Sequence, residues 1–233
     1  MLGIIGAMPE EVELLHEAME DKKEFRRAGL GIYKGVIKGI PVVVTCAGVG
    51  KVNAAMCAQI LISEFGVTTL INTGVAGGVA PGVHVGDVVI STDAMYHDFD
   101  TTALGTPLGQ IAYMENSVFP ADPKLREMAV RACRGLLPDH ACHEGRIVSG
   151  DQFIQGKEKQ TWIYETFDAC CTEMEGAAIA HVAYCNQVPF LILRTISDGA
   201  NEDSPMDFET FKGIAIRTGT DILMNLFSNG VGK

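Results

Sequence analysis

The sequence predicts a protein of the α/β class, with a mixed central β-sheet and helices on both faces of that sheet. Short β-rich runs alternate along the chain with segments whose apolar residues recur at helical spacing. Hydrophobic residues make up 47% of the 233 residues, enough for a sizeable core. No repeat, low-complexity tract or Pro/Ser-rich linker divides the chain, so we expect residues 1–233 to form one domain.

The first predicted elements are a strand, a helix and a hairpin. Residues 2–6 form an apolar run typical of a buried strand. A helix predicted over residues 10–20 follows this strand, with a proline suited to its first turn. Residues 31–37 and 41–46 flank Lys38-Gly39, which is a turn signal, and therefore predict a hairpin.

The rest of the chain continues the alternation. Apolar spacing predicts a helix over residues 51–65, and residues 68–72 form a strand that leads into a glycine-rich segment. Residues 97–122 have little periodicity and are predicted to form a long loop. The remaining predicted elements are strands at 87–91, 142–149 and 189–196 and helices at 123–134, 174–186 and 208–227. In such folds ligands bind at the carboxyl ends of strands, so we look for functional residues there.

Charge and composition exclude several classes of protein. With 18 Lys+Arg against 29 Asp+Glu, the formal net charge is −11, which disfavours binding to nucleic-acid phosphates. No apolar run reaches the roughly 18 residues of a membrane-spanning helix, and no signal peptide is indicated. Seven cysteines without a Cys-x-x-Cys pair predict neither a metal site nor a disulfide framework. We therefore expect a cytoplasmic protein that does not bind membranes.

Acidic residues stand near the predicted ends of three strands. Glu11 lies in the first helical turn after the first strand, Glu173 and Glu175 lie at a helix start, and Asp198 ends the most hydrophobic strand. Each has an ordinary explanation, because acids stabilise helix N-termini and Asp often caps a helix. Converging on one cleft, however, they would raise some carboxyl pKa values, which general acid catalysis near neutral pH requires.

Two further segments lie at strand ends. The glycine-rich run NTGVAGG at 72–78 would allow close backbone approach to a ligand. It is neither GxGxxG nor a P-loop, and a simple turn explains it equally well. Phe153 and Ile154 follow another strand and either pack in the core or form a flat apolar wall for a planar heterocycle.

Taken together, these segments resemble the 5′-methylthioadenosine/S-adenosylhomocysteine nucleosidases of the nucleoside phosphorylase superfamily, from Met1 to the C-terminal helix. The motifs that carry the resemblance are GIIGAMPEE at 3–11, NTGVAGG at 72–78, SGDQFI at 149–154, EMEGAAIA at 173–180 and RTISD at 194–198. The resemblance implies a partly barrel-like sheet. It also implies hydrolysis of the N-glycosidic bond of 5′-methylthioadenosine, S-adenosylhomocysteine and 5′-deoxyadenosine, which releases adenine and a 5-substituted ribose. This reaction needs no metal or organic cofactor, and it serves methionine salvage and removal of methyl-cycle by-products.

The resemblance also implies catalytic roles. Glu11 would be the general base that takes a proton from the attacking water. Asp198 would be the general acid that protonates N7 of adenine, with Ser197 orienting it. Glu175 would bind the ribose hydroxyls, and Arg194 would lie near the water and that carboxylate.

Further residues would contact the substrate. Phe153 would stack on adenine, and the backbone of Ile154 would bind its Watson–Crick edge. Met8 and Met174 would line the ribose, and Phe208 would close the 5′ side. The other expected contacts are Ala7, Val75, Ala76, Gly77, Glu173, Thr101 and Leu104.

Two positions depart from the family pattern. Val75 stands where many relatives have Ser, so a hydroxyl contact to the water is absent, and Arg194 with backbone amides must replace it. Thr101 and Leu104 lie in a loop, residues 97–110, that relatives donate across a homodimer interface. They are less apolar than expected, which would change the preference among 5′-thio substituents.

Three alternatives stay open at this point. A nucleoside phosphorylase of the same fold would need arginines where this chain has Glu10 and Glu11. An aminodeoxyfutalosine nucleosidase would share the base and ribose sites and differ in its 5′ pocket. A nucleoside-binding protein without turnover would have no use for both Glu11 and Asp198.

Overall fold

The computed structural model describes residues 1–199 and 205–231, and residues 205–210 are described as backbone only. The strands are β1 (Leu2–Gly6), β2 (Glu20–Arg27), β3 (Leu30–Ile37), β4 (Ile40–Cys46), β5 (Thr69–Gly78), β6 (Val88–Tyr96), β7 (Phe119–Pro120), β8 (Cys142–Ser149), β9 (Ala169–Glu173) and β10 (Phe190–Asp198). The helices are α1 (Pro9–Glu17), α2 (Lys51–Phe65), α3 (Pro123–Arg134), α4 (Lys157–Phe167), α5 (Gly176–Cys185) and α6 (Pro205–Ser228).

These strands form one mixed sheet that is partly closed. Their order is β10-β6-β8-β9-β5-β1-β4-β3-β2, with β7 beside β6. Because β10 also pairs in parallel with β5, the path from β10 through β6, β8 and β9 to β5 closes into a barrel. Strands β1, β4, β3 and β2 extend from this barrel as an open wing. The predicted fold class, an α/β fold with a mixed, partly barrel-like sheet flanked by helices, is confirmed.

Strand β5 closes the barrel because its neighbours change along its length. Its first half lies between β1 and β10, whereas Gly77 and Gly78 pair with Thr172 and Cys171 of β9. The interpretation of the glycine run as a turn is therefore wrong. The run stays extended because β10 and β9 provide hydrogen-bonding partners along this half of β5.

Helices cover the sheet and complete the core. Helix α2 packs against α5, while α6 packs on β10 and β5, and α3 packs on β6. Strand β10 is buried from its first residue up to Asp198, as expected for the most hydrophobic strand. Among the described residues, no helix is both long and apolar enough to cross a membrane.

Four of the elements above were missing from the sequence prediction: β2, α4, β9 and the two-residue strand β7. Strand β2 is exposed along almost all of its length and, within the described residues, pairs only with β3, so it lacks the apolar alternation of a half-buried strand. Helix α4 is largely polar, and β9 has only five residues. Elements with so little apolar periodicity give no local signal.

Several predicted boundaries also change. The helix predicted over 10–20 ends at Glu17, and the one predicted over 174–186 begins at Gly176 because β9 ends at Glu173. The strand predicted over 87–91 continues to Tyr96. The loop predicted over 97–122 contains a short 3₁₀ turn and the two-residue strand β7.

Candidate active site

A cavity of about 210 Å³ opens where the carboxyl ends of β1, β5, β8, β9 and β10 meet. The predicted site residues that line it are Ala7, Met8, Glu11, Val75, Ala76, Gly77, Phe153, Ile154, Glu173, Met174, Glu175, Arg194, Ser197 and Asp198. Strand-end residues from remote parts of the chain therefore meet in one place, as the topology of α/β folds predicts.

Glu11 reaches this cavity from the first turn of α1. Its Oε2 accepts hydrogen bonds from the backbone N–H groups of Ala7 at 2.7 Å and Met8 at 2.9 Å, which cap the helix. Its Oε1 accepts a hydrogen bond from Val75 N–H of β5 at 3.0 Å. Glu11 is 3% exposed and is held by two separate segments, so its carboxylate lines the cavity as well as capping the helix.

Arg194 lies on β10 and is buried, with 1% of its surface exposed. Its guanidinium donates to Glu173 and, at 2.6 Å, to Asn72 Oδ1, and it lies 3.5 Å from Glu175 Oε2. Burial opposes the charge of Arg194, but the surrounding carboxylates outweigh it and raise the pKa of the guanidinium. Its terminal nitrogens are thus engaged by neighbouring groups, while its Nε is buried without a hydrogen-bond partner among the described residues.

Glu173 lies before α5 and accepts hydrogen bonds from backbone N–H groups at the N-terminus of this helix. It is the last residue of β9, and its Oε2 accepts hydrogen bonds from the N–H groups of Glu175 at 3.0 Å and Gly176 at 2.7 Å. Ser149 also donates its hydroxyl to Glu173. The sequence placed Glu173 at a helix start, whereas it ends β9, a strand that had not been predicted, and α5 begins at Gly176.

Glu175 is the N-cap residue of α5 and is 4% exposed. Its Oε1 accepts a hydrogen bond from Gly50 N–H at 2.9 Å. Burial, and then the neighbouring charge of Glu173, raise the pKa of Glu175 to about 7, while Arg194 and the Gly50 bond act in the opposite direction. This carboxyl group can accept hydrogen bonds from hydroxyl groups in the cavity when it is ionised.

Asp198 ends β10 beside Gly77. Its Oδ1 accepts a hydrogen bond from the hydroxyl of Ser197 at 2.9 Å. Burial raises the pKa of Asp198, and the Ser197 bond opposes this shift. A carboxyl group in such surroundings keeps its proton to higher pH than an exposed aspartate, which suits a proton donor.

Phe153 and Ile154, the two residues predicted to form an apolar wall, differ in burial. The side chain of Ile154 is 4% exposed and belongs to a small core cluster, whereas Phe153 is 54% exposed at the cavity. Core packing therefore accounts for Ile154 but not for Phe153. The Phe153 ring offers a flat surface to a ligand.

Some predicted contacts do not reach the cavity of their own chain. Thr101 and Leu104 lie outside it, and Leu104 is 72% exposed. The side chain of Phe208 falls outside the described residues.

Three lining residues were missed by the sequence analysis: Val49, Gln152 and Thr172. Val49 follows β4 and Gln152 lies within the SGDQFI motif, so their positions at strand ends were available signals. Thr172 lies on β9, which was not predicted, and its hydroxyl is buried without a hydrogen-bond partner among the described residues. In the residues that the structure describes (1–199 and 205–231), no group of three or more His, Cys, Asp or Glu side chains could hold a metal ion.

Comparisons with known proteins agree with this geometry. The model of the Phosphorylase superfamily matches residues 1–228. The 5′-methylthioadenosine/S-adenosylhomocysteine nucleosidase of Neisseria meningitidis, solved with methylthio-immucillin-A, is 38% identical over 98% of both chains, with a TM-score of 0.92. The corresponding nucleosidase of Colwellia psychrerythraea, solved with adenine, is 34% identical over 100% of this chain and 96% of its own, with a TM-score of 0.90.

A futalosine hydrolase mutant of Helicobacter pylori is 30% identical over 98% of both chains, with a TM-score of 0.91. Full-length coverage at these identities shows the family. This chain belongs to the phosphorylase superfamily and, within it, to the 5′-methylthioadenosine/S-adenosylhomocysteine nucleosidases.

Proposed function

We propose that this protein hydrolyses the N-glycosidic bond of 5′-methylthioadenosine and S-adenosylhomocysteine, and of 5′-deoxyadenosine, releasing adenine and the 5-substituted ribose. The observation that carries this proposal is the presence of Glu11, Glu175 and Asp198 in one cavity whose wall includes Phe153. Two of the solved relatives were determined with ligands that resemble the proposed substrate or are the proposed product, a methylthio-immucillin and adenine.

In the proposed reaction, a water molecule attacks C1′ of the ribose while the bond from C1′ to N9 of adenine breaks. The electron pair of that bond moves onto the base. Asp198 gives its proton to N7 of adenine, and Glu11 accepts a proton from the water. The positive charge that develops on the ribose in the transition state is stabilised by the nearby carboxylates.

The remaining contacts fix the substrate. Glu175 accepts hydrogen bonds from the ribose hydroxyls, Phe153 stacks on the base, and the backbone of Ile154 binds its Watson–Crick edge. Ser197 orients Asp198 through the hydroxyl bond at 2.9 Å. Met8 and Met174, which both line the cavity, contact the ribose.

Water, not phosphate, is the proposed nucleophile. A phosphate dianion needs cations with free donor groups, and bidentate arginines are the usual solution. Among the described residues that line the cavity, the cation is Arg194, whose two terminal nitrogens donate to Glu173, Asn72 and the carbonyl of Val75, while its Nε is buried without a partner there. A phosphate near Glu11 would instead meet carboxylates.

We also propose that the protein works in the cytoplasm as a homodimer, in methionine salvage and removal of methyl-cycle by-products. Residues 97–110 of one protomer would complete the 5′ pocket of its partner. Leu104 is 72% exposed, Val49, which lines the cavity, is 51% exposed, and Val52, in the first turn of α2, is 78% exposed. A second copy of the chain would cover these apolar surfaces.

An assay of adenine release tests the proposed function. The purified protein is given 5′-methylthioadenosine, S-adenosylhomocysteine, 5′-deoxyadenosine or aminodeoxyfutalosine, each with and without inorganic phosphate. We expect adenine from the first three substrates at a rate independent of phosphate. Phosphate-dependent release with formation of a ribose 1-phosphate would overturn hydrolysis, and exclusive use of aminodeoxyfutalosine would favour the second candidate, a futalosine-type nucleosidase.

Substitution of the two proposed proton-transfer groups tests their roles. We expect Glu11→Gln and Asp198→Asn each to lower kcat by about 100-fold or more, the usual contribution of a general acid or base. The matched controls are Glu10→Gln and Asp221→Asn, because both of these side chains are exposed. Thermal unfolding checks that each variant is folded, and full activity in a folded Glu11 or Asp198 variant would contradict the assigned role.

A further inference from the structure

Two carboxylates from distant segments meet the N-terminus of α2. The N-cap residue of this helix is Gly50, which has no side chain to cap the first amides. Gly50 N–H donates to Glu175 Oε1 at 2.9 Å, and Lys51 N–H donates to Asp151 Oδ1 at 2.8 Å. The first amides of a helix lack acceptors within the helix and carry its positive end, so these carboxylates replace the missing cap.

The side chain of Lys51 ties the same segments together. Its Nζ donates to both carboxylate oxygens of Asp98, at 2.7 and 2.6 Å, and lies 3.7 Å from Asp151 Oδ2. Asp98 in turn accepts a hydrogen bond from Asp151 N–H at 2.9 Å. The side chains of Lys51 and Asp98 are only 23% and 11% exposed, so solvent screens this contact less than a surface ion pair.

This arrangement determines where the Gly50 N–H points. Gly50 has a φ of 98°, a left-handed conformation that glycine adopts without steric cost, and Lys51 is the next residue. Asp151 immediately precedes the cavity residues Gln152, Phe153 and Ile154. The contacts of Lys51 therefore fix the amide that binds Glu175 relative to the segment beside the base.

We propose that Lys51 is a positioning residue for the reaction. Its ion pairs with Asp98 and Asp151 hold the N-terminus of α2 so that Gly50 N–H orients the Glu175 carboxylate toward the ribose hydroxyls. The inference rests on the proposed function, because that function assigns Glu175 to the ribose. Lys51 does not line the cavity and so acts through Glu175.

A substrate without ribose hydroxyls separates this role from a general loss of structure. We expect Lys51→Met to lower kcat/KM for 5′-methylthioadenosine by about tenfold, the scale of a hydrogen bond to a charged group. With 2′,3′-dideoxy-5′-methylthioadenosine the loss should be less than about twofold, because no hydroxyl is left for Glu175 to bind. Lys38→Met is the matched control, since Lys38 Nζ donates to Met224 O and Ser228 Oγ on α6, and neither it nor these partners lines the cavity. It should match the unchanged protein on both substrates.

A second variant covers the case in which Lys51→Met leaves Asp98 buried without its cation and does not fold. In the double variant Lys51→Met/Asp98→Asn the asparagine oxygen can still accept the Asp151 N–H, and we expect the same dependence on the ribose hydroxyls. Equal losses on both substrates, or no loss on either, in a folded variant would overturn the inference. Absence of adenine release by the unchanged protein would overturn the proposed function, and the inference with it.

Discussion

Glu175 illustrates, at the scale of a single residue, how a site can lower the stability of its own fold. It is 4% exposed, lies next to Glu173 and is only partly compensated by Arg194. Burying a charged carboxylate beside another acid costs free energy unless the group is neutral or well paired. A position suited to binding hydroxyl groups is therefore expected to destabilise the folded state whenever Glu175 is ionised.

This cost predicts a pH-dependent effect of Glu175→Gln. The pKa of Glu175 is about 7 in the folded protein, above its ordinary value of 4.5. Between these values the folded state binds more protons than the unfolded state, so the free energy of unfolding falls as pH rises through this interval. Glutamine cannot ionise and keeps an oxygen for Gly50 N–H. At about pH 8 the variant should be more stable by on the order of 2 kcal/mol, roughly 5 °C in Tm.

Thermal unfolding of both proteins from about pH 5 to about pH 8 measures the effect. The difference in Tm should shrink toward the acidic end, where Glu175 is neutral in the folded state. Glu10→Gln at the exposed neighbouring position should show no such trend. A difference that stays constant across this pH range would contradict the raised pKa of Glu175.

At the scale of an element, β5 shows why glycine stands inside a strand. Gly77 pairs with Thr172 on one side and with Asp198 on the other. A Cβ atom at Gly77 would lie 2.9 Å from Asp198 Oδ2. The missing side chain gives the Asp198 carboxylate its place against the strand.

Gly77→Ala should therefore impair catalysis without breaking the sheet. The added methyl group forces the Asp198 carboxylate to move, and we expect kcat to fall by about tenfold or more, since small misplacements of reacting groups are costly. In Gly213→Ala, on α6, the added methyl group meets no atom of the described residues within 4 Å. This control should keep full activity and gain up to about 1 kcal/mol of stability. Steady-state kinetics measure kcat and thermal unfolding measures stability, for both variants. An unchanged kcat in Gly77→Ala would contradict this prediction and show that the Asp198 carboxylate has room to move.

At the scale of the whole molecule, closure of the barrel brings the residues that line the cavity together, and the loop of residues 97–110 contributes none of them. The pairing of β10 with β5 brings Arg194 beside Gly74 and Asp198 beside Gly77. Thr101 and Leu104 do not line this cavity. Their proposed role in the 5′ pocket therefore requires a second copy of the chain.

Complementation between two inactive variants tests that assembly. In a mixed dimer of Glu11→Gln and Leu104→Glu chains, one site combines an intact Glu11 with an intact loop from its partner. We expect each variant alone to be weakly active, and the mixture, after exchange of subunits, to regain up to about a quarter of the wild-type activity, since half of its dimers are mixed and each has one intact site. No recovery in mixtures shown by mass measurement to contain mixed dimers would contradict donation of the loop across the interface.

The sequence by itself determined the elements with strong local periodicity and the family. The helices over 51–65 and 123–134 and the strand over 142–149 have the predicted boundaries. The motifs at strand ends also marked most of the residues that line the cavity. Such features follow from short-range patterns, because an apolar face or a turn signal is written within one element. The roles of the site residues stay predictions until the variants are measured.

Only the tertiary structure decided which of these residues contact one another. The exposed edge strand β2 gave no apolar pattern, and the short strand β9 was missed, which misplaced Glu173. The hydrogen bond from Val75 to Glu11 spans 64 residues, and the one from Gly50 to Glu175 spans 125. Contacts at such separations depend on barrel closure and helix packing, which set distances between elements that no local pattern encodes. The same packing buries Glu175 and Asp198 and so raises their pKa values.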